Sequence, residues 1–126
     1  MKRTAWIMAA AVLSLAACGD MSSPGGGGGG GTVGLVAVGN NFFRSAHNGS
    51  QNQAVDTIAA GSSVTWRWNA AGSHSIQSTG TPGIFRNSVV MNNANDSYTV
   101  TFNTPGTYDY DCSVHGAAMT GKIVVQ

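Results

Sequence analysis

Charge is scarce in this chain. Lysine, arginine, aspartate and glutamate together make up 9% of its 126 residues, so it lacks the dense basic surface that follows a phosphate backbone, and nucleic-acid binding is excluded. Long apolar runs are also missing: the only candidate, 5–17, is too short to cross a bilayer as a stop-transfer helix. No stretch carries a helical period, and much of the polarity comes from Ser, Thr, Asn and Gly, a balance suited to exported β proteins and poor for amphipathic helices. Cysteine occurs twice and histidine three times, which limits any metal or redox chemistry to a single small centre. The foldable part is too short for a multidomain enzyme.

What is present begins with a leader. Lys2 and Arg3 precede the apolar run, giving the charged and hydrophobic regions of an export signal. The run ends in Leu15-Ala16-Ala17-Cys18, which resembles the lipobox of bacterial lipoproteins. That resemblance implies cleavage before Cys18 and lipidation of Cys18, so residues 1–17 are expected to be a signal peptide. Residues 18–31, closing on seven consecutive glycines, hold too little apolar surface to fold and read as a tether. The expectation is a domain, 32–126, held by lipid at a membrane surface of the cell envelope or periplasm. Loss of Lys2 and Arg3 with the leader leaves four basic residues against five acidic ones, a net charge of −1.

The cysteine count then becomes informative. With Cys18 lipidated, Cys112 has no partner within the chain, in a compartment where free thiols are usually oxidised. From residue 32 onward, short β-rich runs alternate with turn residues, and an all-β sandwich is expected. Strands are read at 33–38, 54–58, 62–68, 97–103, 107–112 and 122–125, with a turn at Thr120-Gly121 and an irregular loop over 42–53. In 62–68, Val64, Trp66 and Trp68 share one face and Thr65 and Arg67 the other; Tyr98, Val100 and Phe102 point inward in the next strand. In 107–112, Tyr108, Tyr110 and Cys112 share the core-facing side, which places the thiol inward at a strand end.

Cys112-Ser113-Val114-His115-Gly116-Ala117-Ala118-Met119 puts a thiolate, an imidazole and a thioether on one short stretch. Calcium or magnesium would require carboxylate and carbonyl oxygens, and a structural zinc site would usually require four Cys or His ligands; this soft donor set favours copper. Taken singly, a Met after a strand is most often core filler and an inward Cys a small hydrophobe. Their clustering with His115 argues for a site. A further ligand must come from His47, in a polar stretch where an exposed, unligated imidazole is usual, or from His74, just beyond the strand 62–68 and the turn-forming Ala70-Ala71-Gly72-Ser73.

The stretch from Val100 to Val125, VTFNTPGTYDYDCSVHGAAMTGKIVV, resembles the C-terminal signature of plastocyanin-like cupredoxins, the blue copper proteins. Upstream, Ala60 to Asn69, AGSSVTWRWN, followed by Ser73-His74-Ser75, resembles the family's strand and loop carrying the first His ligand. The resemblance covers about residues 32–126 and implies a Greek-key β-sandwich of about seven or eight strands. It also implies one type 1 copper ion held by His74, Cys112, His115 and, as the long axial contact, Met119, cycling between Cu(I) and Cu(II). The chain departs from the plastocyanin pattern in three places: three residues separate His115 from Met119 where plastocyanins have four, Ser75 replaces an Asn that bonds across to the Cys loop in many relatives, and the stretch 43–55 is longer.

The function these readings imply is single-electron transfer between redox proteins, such as a cytochrome or a membrane oxidoreductase, by a monomer that is not an enzyme. An apolar shell from Ile84, Phe85, Ala117 and Ala118 is expected to exclude water from the metal. The alternative is a module that buffers or senses copper without cycling. A Cys112–His115 nucleophile and base pair lacks an orienting group, and a multicopper enzyme would need more histidines than three.

Overall fold

The computed structural model describes residues 32–81 and 83–126. The expected signal peptide, Cys18 and the glycine tether lie outside the described residues. Eight strands form two four-stranded sheets. One has the order β2-β1-β4-β6, from β1 (Thr32–Gly39), β2 (Phe42–Ser45), β4 (Ser62–Trp68) and β6 (Ser97–Phe102). The other has the order β3-β8-β7-β5, from β3 (Ala54–Ile58), β5 (Gln77–Ser78), β7 (Gly106–Cys112) and β8 (Gly116–Val125). The described residues include no helix. β1 runs parallel to β4, and β3 parallel to β8, while most links between consecutive strands cross from sheet to sheet, as in a Greek-key sandwich.

The core is where the two inner faces meet. Val36, Val38, Val64, Trp66 and Trp68 come from the first sheet, and Tyr108, Tyr110, Cys112, Met119 and Ile123 from the second; all are buried. Period-2 alternation produces this division, as expected for β4 and β7. Aromatic edges hold the layers in register: Tyr110 packs edge-on against Phe43 at 5.0 Å and Trp66 at 5.2 Å between ring centroids.

Two stretches differ from the sequence reading. Residues 42–45 form β2 and not a loop, because Asn41 takes a positive φ of 61° and reverses the chain tightly. Phe43 and Ser45 then alternate inward, beside exposed Arg44. Thr120 and Gly121 form no turn; they lie inside β8, paired with Asp111 and Tyr110. Gly121 is there because the Tyr110 ring occupies the space a Cβ would need. β8 is therefore continuous from Gly116, and Met119 lies on a strand.

Ser45 is buried for a polar reason. Its hydroxyl donates to Asp56 Oδ1 at 2.7 Å and accepts from the backbone N–H of His47 at 3.1 Å. Asp56 is 1% exposed, and its second oxygen has no partner. Burial raises the Asp56 carboxyl above its ordinary 3.8, against the smaller opposing effects of Ser45 and His47. A carboxyl whose folded pKa is raised binds its proton more tightly folded than unfolded, so stability is full at acid pH and falls as pH rises through the folded value. The Asp56→Asn variant should therefore be more stable than the parent at pH 7, with the difference closing towards pH 3.8 and below, as read by urea unfolding across pH.

Candidate metal centre

Three donor residues converge at one pole of the sandwich. His74 follows β4 in a loop pinned by a two-way backbone bridge to Met91, with N–H to carbonyl distances of 3.1 and 2.9 Å. Cys112 ends β7, at a register shift in its pairing with β8, and is fully buried. His115 sits in the tight connection to β8, closed by its N–H to the Cys112 carbonyl at 3.1 Å and by Gly116 at a φ of 56°. Met119 lies four residues further along, beside Thr120 that pairs with Asp111, with its side chain buried.

The donor atoms of His74, Cys112 and His115 all lie within 4.8 Å of one another. Cys112 Sγ is 3.9 Å from His74 Nδ1 and 3.5 Å from His115 Nδ1. A metal about 2.3 Å from a sulfur and about 2.0 Å from a nitrogen, at a trigonal angle, would separate them by about 3.7 Å. The observed pair brackets that value, so the gap fits one ion. Burial, with a smaller contribution from neighbouring His115, lowers the His74 imidazole from its ordinary 6.5, which favours the neutral ring that a metal requires.

The loops are joined by Ser75, which is buried. Its Oγ lies 2.6 Å from Ser113 Oγ and accepts the Ser113 backbone N–H at 3.0 Å. Ser75 thus bonds across to the Cys loop from the position where the sequence comparison expected an Asn, and ties the residue after His74 to the residue after Cys112. Sequence reasoning noted the substitution without seeing that serine still makes the cross-link; the short side chain reaches because Ser113 offers both a hydroxyl and an N–H.

His47 is outside the cluster, 60% exposed and 3.7 Å from Asp56. Ala117 and Ala118 are exposed, as is Val114 at 49%, so the half-buried His115 has small apolar neighbours at the surface. The expected shell from Ile84 and Phe85 is corrected: Ile84 is 68% exposed. Phe85 stacks on Trp66 and packs edge-on against Phe102, towards the β6–β7 end, because the irregular stretch before β6 carries it along the sheet.

Residues 50–126 match the family described as copper binding proteins, plastocyanin/azurin family. Amicyanin-alpha of Methylorubrum extorquens is 43% identical over 70 residues, which cover 55% of this chain and 58% of that protein. The chloroplastic plastocyanin of Tetradesmus obliquus is 40% identical over 81 residues, covering 58% and 56%. The chain therefore spans well under two thirds of either relative. Among solved structures, a purple cupredoxin from Nitrosopumilus maritimus aligns with a TM-score of 0.57 and 26% identity over 73% of this chain and 98% of that one. Amicyanin variants in Cu(I) and oxidized forms align equally well, over 73% of this chain and 80% of theirs.

Removing the Ser75 hydroxyl leaves the Ser113 N–H and hydroxyl without their partner. The Ser75→Ala variant should lose about 0.5–1.5 kcal/mol of stability, measured by denaturant unfolding, while Ser75→Asn should recover part of it.

Proposed function

Because this chain belongs to the plastocyanin/azurin family of copper-binding proteins, we propose that it is a type 1 copper protein that passes single electrons between redox proteins, with the ion held by His74, Cys112, His115 and Met119. The observation that carries the reading is the grouping of two imidazole nitrogens and one buried thiol within 4.8 Å, beside a buried thioether. Bound copper supplies a one-electron couple between Cu(I) and Cu(II).

The protein's part is to hold its donors still. Cys112 is fixed by the β7–β8 hairpin, His74 by its bridge to Met91, and the two loops by the Ser75–Ser113 bonds. A cage braced in this way changes little between oxidation states, which keeps reorganisation small. The edge of His115 among Val114, Ala117 and Ala118 is the proposed route for electrons, since it is the half-buried imidazole of the pair.

Export, cleavage after residue 17 and lipid attachment at Cys18, with 18–31 as a tether to the 32–126 domain, complete the proposal and place it in the cell envelope as a monomer. The fold suits such an anchor. β1 starts at Thr32 beside Ser63 and ends beside Trp68, where the chain turns into the His74 loop. A tether joined at Thr32 thus meets the domain at the pole opposite the donors and leaves the metal pole free for a partner.

Addition of Cu(II) to the protein should give intense visible thiolate-to-copper absorption that is absent in Cys112→Ser; a colourless parent protein would overturn the copper reading. Reversible voltammetry with fast self-exchange is expected of the carrier, whereas ready loss of copper to an acceptor would indicate a buffering module. Ala118→Glu should leave the colour unchanged and slow electron exchange with a protein partner by about tenfold or more, as measured by stopped-flow absorbance.

A further inference from the structure

Among the described residues outside the metal pole, the largest unpaired charge lies on the outer face of the β2-β1-β4-β6 sheet. The pairing places Arg44 opposite Ala37, Ala37 opposite Arg67, and Arg67 opposite Ser97. These positions alternate with the buried Phe43, Val36, Val38, Trp66 and Trp68, so all four side chains leave the same, solvent-facing side. One straight row therefore carries two guanidinium groups, separated by the small side chain of Ala37. Two strand spacings put their backbones about 10 Å apart. In the adjoining row lies half-exposed Leu35, opposite Thr65, whose hydroxyl is bonded to that of Thr99 at 2.7 Å.

Among the described residues neither arginine has an acidic partner, the ion pairs there being His47–Asp56 and Lys122–Asp109. Arg67 bonds only to the neutral Asn95 amide at 3.2 Å, and the nearby Asp96 carboxylate is engaged by the Asn93 backbone N–H at 3.0 Å. The opposite sheet is acidic by contrast, since Asp109 and Asp111 lie in β7 against the single cation Lys122.

We propose that the Arg44–Ala37–Arg67 row is a docking surface for an acidic segment of a partner protein, whose carboxylates meet the two guanidinium forks. Its place in the fold gives the docking a use. Arg67 precedes Trp68, from which the chain enters the His74 loop. The β1–β2 turn reaches the same loop, where a Cβ on Gly72 would lie 3.1 Å from Asn40 Oδ1 and 3.0 Å from His74 Nε2. A partner seated on the row lies on the His74 flank of the metal pole. Two charges are enough to orient an acidic protein and speed its encounter but are weak as a membrane anchor, where each contributes only about 1 kcal/mol.

The test is titration of the isotope-labelled full-length protein with hexaglutamate peptide, followed by amide chemical shifts with no copper added, so that its result is independent of the copper reading. Shifts are expected at residues 35–37, 44, 65–67 and 95–97. Binding should fade with salt and weaken at least about tenfold in the Arg44→Gln/Arg67→Gln double variant, and Arg86→Gln should bind like the parent. Shifts centred on Arg86 or Lys122, or binding unaffected by the double substitution, would overturn the proposal. So would capture by phosphatidylglycerol vesicles through these two arginines without any response to the peptide, which would assign the row to a lipid headgroup.

Discussion

The metal pole depends on one long-range constraint: His74 and Cys112, 38 residues apart, must meet within 4 Å. No local turn can bring them together. The sandwich does so by ending β4 and β7 at the same pole on facing sheets, and by locking the loops beyond them with the Ser75–Ser113 bonds. The register of β7 with β8 then decides that Cys112 faces inward and that Met119 returns beside it. A slip of one residue in either strand would turn its own donor, the thiol of β7 or the thioether of β8, to the outside.

The core that supports this pole is aromatic and not fully satisfied. Trp66 and Trp68 Nε1, Tyr110 Oη and Asp56 Oδ2 are buried without partners in the protein, and each such atom carries a desolvation cost. Burial raises the Tyr110 hydroxyl far above its ordinary 10, so it stays protonated at any working pH. The rings repay that cost through area and edge-on packing, as Tyr110 does against Phe43 and Trp66. The glycine at 121 is the concession that lets Tyr110 lie flat across β8.

Charge is arranged by sheet. Few residues are charged, so each exposed one shapes the field more than it would on an ordinary surface. The two arginines of the β2-β1-β4-β6 face and the aspartates of β7 give a nearly neutral domain two different sides, with the proposed metal pole at one end.

Much of this was legible in the chain because it depended on local spacing. Alternation in 62–68 and 107–112 showed which side of β4 and β7 is core. The proposed donors Cys112, His115 and Met119 lie within eight residues, so a tight hairpin brings them near each other. The preference for His74 over His47 drew on the polar surroundings of His47 and on resemblance, and only the folded sheets place one ring beside the thiol and the other on the surface. β2 was hidden because its inward Ser45 is polar; the buried partner that makes sense of it, Asp56, is 11 residues away. Thr120-Gly121 looked like a turn since glycine most often is one, yet the residue is small to admit a ring from the next strand. Patterns of period two and ligands on one loop are properties of the chain, whereas which histidine, which serine and which glycine matter was decided by neighbours that only tertiary packing brings together.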